Sequence, residues 1–337
     1  MVKVALVGLG FMGKMHLSVY SKLENVKLVA MCDVDEDALN LKTRGGGNIA
    51  VGDLDIDLSR VKKYTDYDKM LEDGGFDFVD ICLPTYLHAD FSIRAMEAGY
   101  HVFCEKPLSN KVEDAKKVVD KAKETGKLFS VGQCLRYWPM YTEVKRIIDT
   151  GKYGKVRYAE FGRFSMTPTW TWKNWILDGS LSGNAALDLH VHDVDMILFL
   201  FGFPKSVRSR GIMERDGSIS HISTIYSYDD KLVTSTGGWI CTDSFGFNAR
   251  AFYILEKATI ELDISKDPVV MVYPDDGEKY PLALPDGDGY YYELKDFAEG
   301  VERGELSGIV TPESAYDSVK LCLAEIESVK RKEEIEL

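Results

Sequence analysis

Lys106 stands between Glu105 and Pro107, directly after the apolar run His101-Val102-Phe103-Cys104. A lysine at the carboxyl end of a buried strand suits proton chemistry coupled to hydride transfer. Its ammonium can hydrogen-bond a substrate hydroxyl, and its pKa moves readily on burial or beside another cation. Pro107 fixes its own φ and disfavours helical backbone at Lys106, so the lysine is presented on a turn. Taken alone, the tripeptide also reads as an ordinary Glu-Lys pair at a surface strand end. Asp188 and His192 form a second group; four residues apart, they would share one face of a helix. His190 would then lie about 200° around from Asp188 and would join them only on a strand. His190-x-His192 beside Asp193 and Asp195 also has the look of a metal-ligand cluster, and satisfied interior histidines are a third reading. The expectation adopted is a histidine base working with the lysine, and no metal.

The partner for such a lysine is written in the first residues. Val2–Val7 is a short apolar run of the kind a buried parallel strand needs. Gly8-Leu9-Gly10-Phe11-Met12-Gly13 follows at once, and then a helical stretch over residues 14–23. In this pattern the first glycine allows the tight turn, the second lets the backbone approach a pyrophosphate, and the third lets helix and strand pack closely. The helix N-terminus offers N–H groups to the anion. A second strand, residues 27–32, ends at Asp33, where a carboxylate would bind the adenosine ribose hydroxyls. Capping a helix is the alternative role for Asp33. The run after it, Val34-Asp35-Glu36-Asp37, holds no cation for a 2′-phosphate, so NAD is expected rather than NADP.

The elements that position these groups alternate along the chain. Residues 76–83 read as a strand ending in Pro84-Thr85-Tyr86-Leu87-His88, with His88 placed to touch the nicotinamide ribose or to begin a helix. Helices are expected over residues 89–98 and 112–125, and a last strand over 127–132. Alternation of this kind makes a doubly wound parallel sheet with ligands at the strands' carboxyl ends, here a Rossmann domain spanning residues 1–130. Pro84, Thr85, His88, Glu105 and Lys106 would therefore line the cofactor together with Gly8, Gly10, Phe11, Met12, Gly13 and Asp33. Residues 45–57, glycine-rich and then acidic, read as an inserted surface loop of no legible function.

The sequence resembles the glucose-fructose oxidoreductase / inositol dehydrogenase family, Gfo/Idh/MocA. The resemblance is carried by the residue 8–13 fingerprint, Pro84 to His88, Val102 to Ser109, and the block from Ser182 to Asp193. It implies that Lys106 lies beside the nicotinamide and hydrogen-bonds the reacting hydroxyl. It also implies that His192 exchanges a proton with the substrate oxygen, that Asp188 binds substrate or orients the lysine, and that the Lys106-Pro107 peptide is cis. Asn184 departs from the pattern, since many members have a third glycine there. Arg136, in an Arg-aromatic-x-Pro segment, would hold cofactor or substrate, or else form a salt bridge. Trp172, within the cluster Trp170, Trp172, Asn174 and Trp175, would offer an aromatic face to a sugar or cyclitol, or else pack in the core.

At 337 residues the chain has room for two well-buried cores, and residues 131–337 would form the second. Its net charge of −13 argues against nucleic acid and anionic membrane as partners. The sequence shows no span-length apolar stretch and no signal-peptide pattern, and its six scattered cysteines point to reduced thiols and a cytoplasmic setting. After a helix over residues 140–150, strands are expected at 156–164, 206–213, 221–227, 232–236, 249–255 and 258–263, with closing helices at 290–303 and 312–330. Consecutive strands imply an α+β domain with a largely antiparallel, open-faced sheet. One face would cover the helices holding Asp188 to Leu200; the other would be apolar, and the resemblance implies a homodimer or homotetramer through it. The function expected is NAD-dependent hydride transfer with a secondary hydroxyl of a sugar, sugar derivative or inositol. A non-catalytic NAD-binding sensor, a metal-dependent hydrolase and a glycoside-modifying enzyme with internal NAD redox are the competing readings.

Overall fold

The structure, a computed structural model, describes residues 1–42, 47 and 57–337. Of the expected loop at 45–57, only Gly47 and Asp57 fall among the described residues.

The first half alternates strand and helix: β1 (Val2–Val7), α1 (Phe11–Tyr20), β2 (Val26–Cys32), α2 (Glu36–Leu39), β3 (Lys62–Tyr64), α3 (Tyr67–Asp73), β4 (Phe78–Ile81), α4 (Thr85–Glu97), β5 (His101–Cys104), α5 (Val112–Thr125) and β6 (Phe129–Val131). Its six strands lie in the order β3-β2-β1-β4-β5-β6, all parallel. The order reverses between β1 and β4, the switch point at which doubly wound sheets bind ligands beyond their strands' carboxyl ends. The helices follow from their apolar spacing. α5 buries Ala115, Val118, Val119 and Ala122, one stripe of a 3.6-residue period, and stops at Gly126, whose φ of 64° suits a residue without a Cβ.

The second half runs α6 (Pro139–Asp149), β7 (Val156–Met166), α7 (Gly179–Ser182), α8 (Ala185–Asp188), α9 (Val191–Phe201), β8 (Ser206–Met213), β9 (Ile219–Ser227), β10 (Leu232–Cys241), β11 (Phe247–Leu255), β12 (Ala258–Asp263), β13 (Val270–Pro274), β14 (Tyr280–Pro281), α10 (Gly289–Arg303), α11 (Pro312–Arg331) and β15 (Glu334–Glu336). Nine strands form one sheet in the order β14-β13-β12-β11-β7-β10-β9-β8-β15. All neighbours are antiparallel except β7 and β10, which the 65 or so intervening residues allow to run parallel. The short β3, β13, β14 and β15 and the helix α3 escaped the sequence reading; each is brief or charged, and pairing rather than pattern makes it regular.

Two compact units result: residues 1–133, 169–177 and 290–319 in one, and residues 134–168, 178–289 and 320–337 in the other. In the second, α8 packs on β9 and β10, and α9 on β7, so one face of the sheet covers the helices as expected. The opposite face is mixed, not apolar. Exposed Ile225, Leu232, Ile240 and Ile254 alternate along their strands with residues facing the helices. Among them stand charges, including Arg250 at 3.6 Å from Glu160 and Lys266 beside Glu261.

Candidate active site and cofactor cradle

In the first unit, backbone and glycines shape the end of β1. Gly8, at φ 88°, donates its N–H to Cys32 O at 2.8 Å; a Cβ there would meet Cys82 O at 2.5 Å. A Cβ on Gly13 would come within 1.9 Å of Gly8 O. Both positions thus require glycine so that strand and helix can close on each other. Gly10 is different: it caps α1 without a side-chain bond, is exposed, and a Cβ on it would meet nothing within 4 Å among the described residues. Among the described residues the space beside Gly10 is therefore open, while Phe11 and Met12, half-buried, begin the helix. The free N–H groups of that first turn, which itself holds no acidic residue, fit a diphosphate.

Asp33, at the end of β2, accepts Leu9 N–H at 2.7 Å and Asp35 N–H at 2.9 Å, which aims its carboxylate alongside the glycine turn. The cap of α2 is Asp35, not Asp33. Pro84 precedes α4, and Thr85 opens it with a buried Oγ that has no partner among the described residues. His88 lies one turn into α4, fully buried, with Nδ1 2.7 Å from Pro107 O and Nε2 2.7 Å from Leu83 O. Burial lowers its pKa. It clasps the exit of β4 to the loop after β5, a structural tie visible only once the fold brings those carbonyls together.

Lys106 lies two residues past the end of β5, half-buried, and its peptide to Pro107 is cis. Glu105 is buried; its Oε2 accepts the Lys106 backbone N–H at 3.1 Å, and its Oε1 lies 3.0 Å from His16 Nε2. His16 Nδ1 is 2.8 Å from Asp80 Oδ2, which also accepts the Tyr20 hydroxyl at 2.7 Å. Cys82 Sγ is 3.2 Å from the same ring nitrogen. Burial opposes charge on His16, yet Asp80, with Cys82, holds its pKa well above the ordinary histidine value. Burial likewise works to raise Glu105, but the bond to His16 and the charges of His16 and Lys106 bring it below the usual carboxylate value. The sequence reading missed this cluster. Its signal is Asp80, a charge in the middle of Phe78-Val79-Asp80-Ile81, all four buried.

Trp172 belongs to the same unit; it is 47% exposed, with the Lys173 ammonium 4.3 Å from its ring centroid. Lys173 and Asn174 beside it have φ of 50° and 54°.

In the second unit, Asp188 ends α8 and His192 lies in the first turn of α9, with Leu189 and His190 between the helices. The two are thus not on one regular helix. His190 N–H reaches back five residues to Ala185 O at 3.0 Å, and this wide turn replaces the continuous helix that a four-residue spacing presupposes. Asp188 is buried and His192 half-buried. His190 is fully buried, Nε2 3.1 Å from Glu325 Oε2 and 3.5 Å from the Tyr226 hydroxyl. The metal reading of this block meets two occupied carboxylates. Asp193 takes Arg163 at 3.1 and 2.9 Å, and Asp195 takes Arg136 Nε and Nη2 at 2.8 Å each. Arg136 is therefore seen in the salt bridge that was the alternative to a ligand contact, with its guanidinium 4.7 Å from the Phe199 ring centroid. Asn184 precedes α8 at φ 57°, ψ −162°, accepting Ala185 N–H at 2.7 Å and donating to Ser218 Oγ at 2.8 Å.

Residues 2–133 match the model of an oxidoreductase family with an NAD-binding Rossmann fold, and residues 141–260 match the GFO/IDH/MocA C-terminal domain. Scyllo-inositol 2-dehydrogenase (NAD(+)) of Bacillus subtilis is 29% identical over 343 residues, 98% of this chain and 94% of that protein. Myo-inositol 2-dehydrogenase of Thermotoga maritima is 24% identical over 347 residues, 100% of this chain and 98% of that protein. The fold matches the WlbA dehydrogenase of Bordetella pertussis, solved with NADH and UDP-GlcNAcA, with a TM-score of 0.82 at 21% identity, over 100% of this chain and 98% of that one.

Proposed function

Since the chain belongs to the Gfo/Idh/MocA family of NAD-binding oxidoreductases, we propose that it oxidises a secondary hydroxyl of an inositol or related sugar, with NAD as the hydride acceptor. The observation that carries this is the common edge of one parallel sheet. The glycine turn follows β1, and Lys106 lies two residues past β5, each beyond the carboxyl end of its strand. The inositol substrates in the names of the two curated relatives support the substrate class.

Bound nicotinamide supplies the hydride-accepting carbon. The diphosphate is held by the first turn of α1 at Gly10, Phe11 and Met12, and the ribose by Asp33, with Pro84 and Thr85 at the nicotinamide end. NAD rather than NADP follows from Asp33, whose carboxylate, fixed by two backbone N–H groups, would repel a 2′-phosphate. Lys106 hydrogen-bonds the substrate hydroxyl and stabilises the charge that grows on its oxygen. His192 takes the proton, and Asp188 orients substrate or base; general base help of this kind is worth roughly 10²–10⁴-fold. The enzyme assembles as a homodimer or homotetramer through the outer face of the nine-stranded sheet, where exposed isoleucines stand among ion pairs. It works in the cytoplasm, in keeping with six cysteines that form no disulfide. Among the described residues no helix is long and apolar enough to cross a membrane.

The test is NADH absorbance with purified protein, NAD or NADP, and a panel of inositols, aldoses and sugar acids. Reduction of NAD by an inositol supports the proposal. Silence across the panel, with NAD bound, turns the reading toward a sensor or an internally recycled cofactor.

A further inference from the structure

We propose that His16 is a positioning residue for hydride transfer: by bridging Asp80 and Glu105 through its two ring nitrogens, it fixes the strand end that presents Lys106. This rests on the reading of Lys106 as a group that touches substrate.

The argument begins with donors. A neutral imidazole has one N–H, yet His16 faces a carboxylate oxygen at each nitrogen, 2.8 Å to Asp80 and 3.0 Å to Glu105, with no side-chain surface exposed to water. Only the doubly protonated ring donates to both. The facing groups favour that state: Tyr20 from α1 gives its hydroxyl to Asp80, Cys82 follows β4, and Glu293 of α10 brings a further buried carboxylate close to His16 and Glu105. The ring thus sits among three buried carboxylates, Asp80, Glu105 and Glu293. The Phe103 ring lies edge-on to His16 at 5.9 Å and is itself packed edge-on against Phe297 at 5.4 Å.

The path from His16 leads to the chemistry in two bonds. Glu105 uses one oxygen for His16 and the other for the backbone N–H of Lys106. Because His16 sits on α1, the helix whose N-terminus would bind the diphosphate, the network ties cofactor cradle and lysine together. Without the ring, Glu105 is a buried carboxylate with a lost donor, and it will turn or protonate. The lysine's backbone then shifts, and misplacement of about 1 Å can cost about 10²-fold in rate.

The experiment uses full-length protein labelled with 15N-histidine, titrated by NMR from about pH 6 to about pH 9, around the ordinary histidine pKa of about 6.5. The result expected is one histidine with both ring nitrogens protonated throughout, assigned by its absence in His16→Gln. A neutral His16 at about pH 7 overturns the proposal, as does a stoichiometric metal ion in the purified protein, which would stand in place of the ring proton. In parallel, His16→Gln and Lys106→Ala are assayed with NAD and the inositol that the substrate panel selects. For His16→Gln we expect kcat to fall about 10- to 100-fold, with the Kd for NADH within about threefold of wild type. Loss of turnover in Lys106→Ala with full turnover in His16→Gln overturns the role of His16 alone. Full turnover in Lys106→Ala instead overturns the reading of the lysine. Should His16→Gln fail to fold, Tyr20→Phe, which removes only the second donor to Asp80, supplies both the assignment, by shifting the His16 signals, and a smaller fall in kcat.

Discussion

His190 Nε2 lies 3.1 Å from Glu325 Oε2, and neither side chain has any surface exposed to water. His190 stands at the elbow between α8 and α9, where its carbonyl accepts the N–H groups of Asp193 and Val194, so the pair anchors the segment that carries Asp188 and His192. Burial opposes charge on the ring, but Glu325 overrides it and raises the His190 pKa. Removing one partner of such a pair leaves a buried charge and costs about 3–5 kcal/mol. Glu325→Gln should therefore lower urea-unfolding stability by that order. The sign with pH follows from linkage. A raised pKa means that the pair's contribution is complete below the unfolded value of about 6.5 and is lost as pH rises through the folded value. The gap between wild type and Glu325→Gln should shrink as pH is raised; a gap that stays constant would show that His190 does not carry the charge.

Lys106→Ala and His192→Ala should each lower turnover about 10²- to 10⁴-fold while leaving NADH affinity within a few-fold of wild type. Lys106→Arg should recover little, because a planar guanidinium does not replace a compact ammonium at a single hydroxyl. Steady-state kinetics with NADH fluorescence titration decide both, and near-wild-type turnover in either alanine variant removes that residue from the mechanism.

Much of this was legible because two periodicities dominate the chain. Buried parallel strands read as unbroken apolar runs, and α5 and β8 fall on their expected residues with no error at either end. The glycine turn was legible for a steric reason: Gly8 and Gly13 are places where a Cβ collides with backbone. The elbow at His190 was not, since a five-residue turn and a regular helix share the same local composition. Nor were the clasps made by His16, His88 and Glu325. Each joins residues far apart in sequence, so the partner exists only after the sheet has formed. Asp80 was the one local sign, a carboxylate where the strand pattern asks for an apolar residue.

Asp33→Asn should weaken NADH binding about tenfold and narrow the preference for NADH over NADPH. Leu9 and Asp35 donate to different oxygens of Asp33, so the isosteric amide keeps an acceptor for one of them and gives up the other bond together with the charge that repels a 2′-phosphate. Fluorescence titration with both reduced cofactors reads the ratio. An unchanged ratio would mean that other groups set the choice.

Asn184 separates strain from bonding. Its φ of 57° with ψ of −162° belongs to a region that glycine enters freely, at a cost of about 1–3 kcal/mol for other residues. Its side chain offsets that cost by accepting Ala185 N–H and donating to Ser218. Asn184→Gly gives up the bonds and the strain together and should unfold within about 1 kcal/mol of wild type. Asn184→Ala gives up the bonds alone and should cost about 2–3 kcal/mol. Equal stabilities for the two variants would remove strain from the account.

Gly10 and Gly13 make the sharpest contrast in the cradle, since the same added methyl group meets opposite surroundings. At Gly13 a Cβ would lie 1.9 Å from Gly8 O, so α1 must move off β1 or the turn must open. Gly13→Ala should lower the melting temperature by several degrees and abolish cofactor binding with it. At Gly10 the backbone is at φ −69°, ordinary for any residue, and a Cβ meets nothing within 4 Å among the described residues. Gly10→Ala should therefore melt within about a degree of wild type, while NADH affinity falls at least about tenfold, because the methyl group enters the space left for the diphosphate. Stability and affinity fall together at Gly13 and separate at Gly10. Wild-type affinity in Gly10→Ala would place the diphosphate elsewhere than at the first turn of α1.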